Sequence, residues 1–175
     1  WREGKLSVAF LDLCFRKTAK TTGMILLIIV AAFTLNVTLA LGGITRVMSD
    51  WVEGLGLSPV ELLFALMLFY LVLGMFMDVL SMQVLTIPVA VPIILNAGID
   101  PVWFGIFVVL MCELGMITPP VGMNLYVVQG VRNDGGPFSD VIMGALPYAA
   151  LMLLFTAALI FWPDIAVWLP QAVSR

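Results

Sequence analysis

The stretch from residue 22 to residue 41 is the feature that most restricts how this chain can fold. It contains no charged side chain. An α-helix rises 1.5 Å per residue, so a helix of this length extends about 30 Å, the thickness of a bilayer's hydrocarbon core. Because lipid offers no hydrogen-bond partners, a segment at that depth must be a helix or part of a closed barrel. The uncharged stretch therefore predicts a transmembrane helix.

The composition of the whole chain agrees with a membrane environment. Hydrophobic residues make up 62% and charged residues 11%, whereas soluble domains are nearer half apolar and a quarter charged. The net charge is −3 and there is no histidine. A nucleic-acid-binding surface needs a basic patch, and histidine is the usual general base and metal ligand. We therefore expect an all-α membrane protein that is not an enzyme, carries no transition metal or cofactor and binds no nucleic acid.

Helix-start signals and polar interruptions divide the chain into segments. Ser58 and Glu61 around Pro59 predict a capping box, and Asp100 before Pro101 predicts a second helix start. Basic residues concentrate before the first predicted span, which places that end in the cytoplasm. The chain starts at Trp1 and shows no signal peptide, so we expect it to be one part of a longer polypeptide. The predicted segments are an amphipathic interfacial arm (1–21), a transmembrane helix with an external interfacial segment (22–58), a helical hairpin (59–97), a discontinuous transmembrane helix (98–131), and a cytoplasmic loop, last transmembrane helix and tail (132–175).

Two interruptions occur inside apolar sequence, at 74–78 and at 115–122. In the second, Pro119 and Pro120 remove two backbone donors and disfavour helical angles in the residue before each proline. Irregular backbone at membrane depth is tolerated only where it is buried in protein or lines a wet cavity. In transporters, such broken helices direct backbone carbonyls at cations and helix N-termini at anions. The pair of breaks predicts an ion site, and two kinked structural helices are the alternative.

Four polar residues near these breaks each have two interpretations. Asp78 either caps the second hairpin arm or acts directly on an ion or proton. Glu113 either pairs with a free backbone donor or faces a wet cavity. Asn124 either donates to a substrate carboxylate or satisfies backbone groups of the break. Ser81 is close to the hairpin tip, where a hydrogen bond within its own helix competes with substrate contact.

Three segments carry a resemblance to a known family. The sequences GMFMDVLSMQVLTIPVAVPI, GIDPVWFG and ELGMITPPVGMNLYV resemble the large membrane (permease) subunit of tripartite ATP-independent periplasmic (TRAP) transporters, within the ion transporter superfamily. The resemblance covers nearly the whole chain and corresponds to the C-terminal half of that subunit, its second inverted repeat. Met111 departs from the pattern, since many relatives have asparagine there, which puts in doubt a polar contact on that face of the helix.

The resemblance implies a specific architecture and site. Residues 59–97 would be a re-entrant hairpin with its tip at 74–78, packed against a broken helix at 101–131. Both would belong to one half of an inverted-repeat, elevator-type transporter. Sodium would be held by the carbonyls of Gly74, Gly115 and Val121 and by Thr118. The residues expected near the substrate and the tips are Asp78, Ser81, Pro119, Pro120, Gly122 and Asn124.

The resemblance also implies a function and partners. The expected activity is sodium-coupled symport of a small organic anion, such as a C4-dicarboxylate or sugar acid, across the bacterial inner membrane. The expected partners are a periplasmic substrate-binding protein, a small membrane subunit, the N-terminal repeat of the same permease and the lipid bilayer. The alternatives are a proton-coupled anion transporter and a membrane scaffold or assembly subunit that does not transport.

Overall fold

The computed structural model describes residues 8–173, and every regular element in that range is an α-helix. This confirms the predicted all-helical fold at the level of secondary structure. The first part of the predicted interfacial arm, residues 1–7, lies outside the described residues. The helices are α1 (Val8–Leu41), α2 (Ile44–Gly54), α3 (Pro59–Gly74), α4 (Val79–Asn96), α5 (Pro101–Met116), α6 (Met123–Val131), α7 (Phe138–Phe161) and α8 (Asp164–Val173).

The chain divides into two compact units, with the boundary after Gly43. The described part of the first unit is α1, which continues without interruption from Val8 to Leu41 and has 34 residues. The apolar stretch at 22–41 and the described part of the basic segment that precedes it, residues 8–21, therefore form a single helix. At 1.5 Å per residue this helix extends about 51 Å, longer than the hydrocarbon core of a bilayer.

Three of the described helices are long and apolar enough to cross a membrane: α1, α4 and α7. The helices α3 and α5 are also apolar but have 16 residues each, so each extends about 24 Å. A full bilayer core is about 30 Å thick. The second unit, which begins at Ile44, therefore combines full-length helices with two shorter ones that end at the breaks.

Helix α5 lies at the centre of the second unit. Helix α3 packs mainly against α5, and α4 packs against both α2 and α5, while α3 and α4 touch each other little. Helices α7 and α8 also contact α5. The core is built around fully buried side chains from α3 and α5, including Tyr70, Phe107 and Met111. Tyr70 meets Phe107 edge-on with ring centroids 6.4 Å apart. Since α5 is apolar on every side, it is suited to a position surrounded by other helices.

The helix starts predicted from sequence are present as hydrogen bonds. The Ser58 backbone N–H donates to the Glu61 carboxylate at 2.8 Å, and the Glu61 N–H donates to the Ser58 hydroxyl at 3.4 Å. This is a capping box with Pro59 at the first helical position. At the next start, Asp100 accepts from the N–H groups of Val102 and Trp103 at 2.8 and 2.9 Å. These local bonds fix where α3 and α5 begin.

Candidate functional site

The two predicted breaks are present and their glycines are in direct contact. Helix α3 ends at Gly74, and Gly115 is the second-last residue of α5. A Cβ atom built on Gly115 would lie 2.5 Å from the Gly74 Cα and 2.7 Å from its carbonyl carbon. A Cβ on Gly74 would lie 2.9 Å from the Gly115 Cα. Only residues without a side chain allow two backbones this close.

The Gly74 carbonyl receives no backbone N–H from residues 75–78. The N–H of Met75 donates to the Leu71 carbonyl at 3.2 Å, and those of Phe76 and Met77 donate to the Leu73 carbonyl at 3.0 and 2.9 Å. The Gly74 oxygen lies close to the backbone of Gly115, since a Cβ built on Gly115 would be 2.9 Å from that oxygen. This end of α3 therefore presents a carbonyl oxygen with unused acceptor capacity.

The second break begins with hydrogen bonds that fold the chain back on the end of α5. The Thr118 hydroxyl donates to the Leu114 carbonyl at 2.6 Å, and the Thr118 N–H donates to the Gly115 carbonyl at 3.1 Å. A hydroxyl that donates still has lone pairs to accept or to bind a cation. Thr118 therefore places a hydroxyl oxygen one turn from the Gly74–Gly115 contact.

The loop of the second break ends at Gly122, where α6 begins. Gly122 has a φ of +47°, in the left-handed region that favours glycine. A Cβ there would also lie 3.0 Å from the Thr118 carbonyl oxygen. Gly122 has no side chain to cap the first N–H groups of α6. Pro119 and Val121 are half-buried in this loop and Pro120 is exposed.

Asp78 is in the position of a cap. It precedes α4, and its carboxylate accepts from the Ser81 N–H at 3.1 Å. This geometry favours the capping alternative for Asp78, because a carboxylate at an N-terminus satisfies an orphan donor and complements the helix dipole. The backbone of Ser81 is engaged by the same bond. The assignment of either residue to a substrate site stays a prediction.

Two further polar residues predicted to lie near the breaks are on the surface of the second unit. Glu113 is exposed on α5 and forms no hydrogen bond or ion pair with another residue of the described range. Asn124 is exposed on the first turn of α6 and lines a cavity of ≈ 440 Å³ with Arg132 and Asp140. A carboxylate in an apolar helix is costly in lipid. Of the two alternatives for Glu113, the exposed position favours a wet cavity over a bond to a free backbone donor.

One buried polar link was missed by the sequence analysis. The Tyr70 hydroxyl donates to the Thr86 hydroxyl at 2.9 Å, and Thr86 donates to the Met82 carbonyl at 2.8 Å. Tyr70 and Thr86 are both buried and join α3 to α4. A tyrosine buried in an apolar helix needs a partner for its hydroxyl, so the presence of Tyr70 in apolar sequence could have indicated a buried hydrogen bond. The sequence could not identify Thr86 as the partner, because spacing along the chain does not show which faces of two helices meet.

The chain is similar to known transporter components along most of its length. The family model for the Tripartite ATP-independent periplasmic transporter, DctM component, matches residues 1–165. The C4-dicarboxylate TRAP transporter large permease protein DctM of Vibrio cholerae is 36% identical over 151 residues, which cover 86% of this chain and 33% of that protein.

Two other relatives have different named substrates. The 2,3-diketo-L-gulonate TRAP transporter large permease protein YiaN of Escherichia coli is 31% identical, covering 85% of this chain and 35% of that protein. The sialic acid TRAP transporter large permease protein SiaM of Vibrio cholerae is 30% identical, covering 89% of this chain and 36% of that protein. The chain thus spans about a third of the length of these curated relatives. With helices suited to a membrane and a family match over residues 1–165, the chain belongs to the DctM family of tripartite ATP-independent periplasmic transporter components.

Proposed function

We propose that this chain forms part of a permease that carries a small organic anion into the cell by symport with sodium. The observation that carries the proposal is the direct contact of the two helix breaks at Gly74 and Gly115, where the Gly74 carbonyl lacks an N–H donor. A carbonyl oxygen without an N–H donor has both lone pairs available for a cation. Family membership supports the transport role, since the relatives are named as permeases.

The cation would bind where oxygen atoms of both breaks converge. Hard cations prefer oxygen ligands such as carbonyls and hydroxyls. The proposed ligands are the Gly74 and Gly115 carbonyls, the Thr118 oxygen and the Val121 carbonyl. The Thr118 hydroxyl already directs its hydrogen at Leu114, so its lone pairs are available to the cation. No charged ligand is needed, which suits a monovalent ion that must bind and leave in each cycle.

The anion would bind closer to α6 than to α4. Both helices begin at a break, and a helix N-terminus attracts negative charge. The start of α4 already holds the Asp78 carboxylate, which repels a second anion. The start of α6 has no side-chain cap. We therefore assign substrate contact to the loop of Pro119, Pro120 and Gly122 and to Asn124.

The chain would act as one part of a larger assembly. We propose that α3 and α4 form a re-entrant hairpin that moves with α5 in an elevator motion, because both arms pack on α5. The remaining partners would be the other repeat of the permease, a small membrane subunit and a periplasmic binding protein that delivers the substrate. The N-terminal end of α1 would face the cytoplasm of a bacterial cell. The relatives are named for a C4-dicarboxylate, a sugar acid and sialic acid, so an organic anion is the common class.

The test is uptake by the complete transporter in liposomes, with sodium and proton gradients imposed separately. Uptake that follows the sodium gradient supports the proposal. Thr118→Ala is expected to raise the sodium concentration for half-maximal uptake by about fivefold or more, because loss of one ligand oxygen weakens binding by about 1 kcal/mol or more.

A matched control for Thr118→Ala is available in α7. The Thr156 hydroxyl donates to the Met152 carbonyl at 2.9 Å, four residues earlier, as Thr118 does to Leu114. Thr156→Ala should therefore leave the sodium dependence unchanged. An equal effect of the two substitutions would remove Thr118 from the site. Uptake driven by the proton gradient alone would instead favour proton coupling, for which the exposed carboxylate of Glu113 is the candidate group.

A further inference from the structure

A second site with mixed polar and apolar walls lies between α2, the start of α3 and the end of α4. Its polar part is a cavity of ≈ 230 Å³ lined by Ser49, Glu53 and Asn96 among others. The Glu53 carboxylate accepts from the Asn96 side-chain amide at 2.8 Å through one of its oxygens. This leaves the second carboxylate oxygen available to another donor.

The Ser49 hydroxyl makes this cavity more than a surface depression. Ser49 is 5% exposed, and its hydroxyl has no hydrogen-bond partner among the described residues. Leaving a buried hydroxyl unsatisfied costs about 1–3 kcal/mol. Ser49 lines the cavity, so a polar group bound there would remove that cost.

The polar cavity continues into an apolar groove. The groove has a volume of ≈ 440 Å³ and shares the walls formed by Val52, Leu62 and Ile93 with the polar cavity. It extends between the apolar face of α2 and the two hairpin arms, past Trp51 and Phe69. Helix α2 is amphipathic, with Ser49 and Glu53 on its polar side, as expected of a helix at the boundary between headgroups and acyl chains.

We propose that the cavity and groove together bind one phospholipid whose headgroup carries a primary ammonium. The ammonium would donate to Glu53, which is the one formally charged residue among those that line the polar cavity. The Ser49 hydroxyl would donate to a phosphate or ester oxygen, and an acyl chain would fill the groove. The residues that line the polar cavity include no cation, so Glu53 would repel an anionic headgroup. A quaternary ammonium has no N–H to donate, so the site should discriminate against choline lipids.

The experiment uses the complete permease, purified in detergent and stripped of lipid. A photoreactive diazirine analogue of phosphatidylethanolamine is added, and labelled peptides are mapped by mass spectrometry. We expect labelling of α2 and α3 along the groove. Unlabelled phosphatidylethanolamine should compete at least about tenfold better than phosphatidylcholine, since a hydrogen bond to a charged group contributes about 1.5–3 kcal/mol.

Three substitutions on α2 separate the headgroup contact from general effects of charge. Glu53→Gln keeps the shape and the bond to Asn96 and should abolish the preference for the ethanolamine lipid. Ser49→Ala removes a hydroxyl that has no protein partner, so it should fold normally and reduce labelling of the groove about threefold. Asp50→Asn removes the same charge from an exposed residue outside the cavity lining, and it should change neither measurement.

The proposal is overturned by any of four results. These are absence of labelling along the groove, equal competition by ethanolamine and choline lipids, stronger competition by phosphatidylglycerol, and an equal loss of preference in Asp50→Asn and Glu53→Gln. Absence of labelling would mean that protein or water occupies the groove. None of these outcomes depends on sodium or substrate, so the result is independent of the proposed transport function.

Discussion

Replacing Gly115 with alanine tests the contact on which the proposed ion site depends. The new Cβ would lie 2.5 Å from the Gly74 Cα, whereas ordinary contacts begin near 3.4 Å. The difference is about 0.9 Å, and it must come from separation of α3 and α5, because the obstructing atoms belong to the backbone. Forced overpacking of this kind costs about 1–3 kcal/mol.

We expect two measurable consequences of Gly115→Ala in the complete transporter. The melting temperature of the purified protein should fall, and the sodium concentration for half-maximal uptake should rise by at least about fivefold, the equivalent of 1 kcal/mol. The second effect arises because a shift of about 0.9 Å moves the Gly74 carbonyl out of reach of a bound cation. Gly74→Ala should act in the same direction but more weakly, since its Cβ would be 2.9 Å from the Gly115 Cα.

Gly105 provides a control on the same helix. A Cβ built on Gly105 has no atom within 4 Å, so Gly105→Ala adds a methyl group without a clash. In a helix this exchange stabilises by about 0.5–1 kcal/mol. The melting temperature of the Gly105→Ala protein should stay the same or rise, and the sodium dependence of its uptake should be unchanged. If Gly115→Ala behaves like Gly105→Ala in both assays, the close approach of the two breaks has no functional role and the reasoning is refuted.

Three further predictions concern individual side chains. Tyr70→Phe removes the hydrogen bond to Thr86, which keeps its own bond to a backbone carbonyl. Chemical denaturation should show that the free energy of unfolding falls by about 0.5–1.5 kcal/mol, and an unchanged value would contradict the link between α3 and α4. Asp78→Asn retains a good cap and loses only the charge at the start of α4, so the free energy of unfolding should fall by about 0.3–1 kcal/mol and sodium coupling should stay intact. Uptake that loses its sodium dependence would instead assign Asp78 to the ion site. The Arg132 guanidinium lowers the pKa of Asp134 to about 2 from its usual 3.8, so this ion pair stabilises the 132–137 loop above pH 4 and is lost as the pH falls towards 2. Because Asp134 is exposed, the effect is small: relative to a site elsewhere in the chain, pepsin should cleave the loop only modestly faster near pH 2 than near pH 4, and Asp134→Asn should remove that difference.

The sequence by itself determined the features that depend on neighbouring residues. The capping box of Ser58 and Glu61 and the cap of Asp100 act over two or three residues, and both form as predicted. The interruption at Pro119 and Pro120 follows from missing backbone donors and a steric clash, which no tertiary contact reverses. The all-helical fold follows from long apolar segments, because lipid leaves the backbone few other ways to form its hydrogen bonds.

Only the tertiary structure decided which distant residues meet. The contact of Gly74 with Gly115, the bond of Tyr70 to Thr86, and the cavity between Ser49 and the end of α4 all join separate helices. Helical periodicity predicts a buried face only where polar and apolar residues alternate around the helix. Apart from Glu61 and Glu113, helices α3 and α5 carry no charged residue and are apolar around the helix, so their sequences contain no repeating pattern that selects a contact face. Steric fit determines the contact face between α3 and α5, because two glycines permit an approach of the backbones that any side chain would prevent.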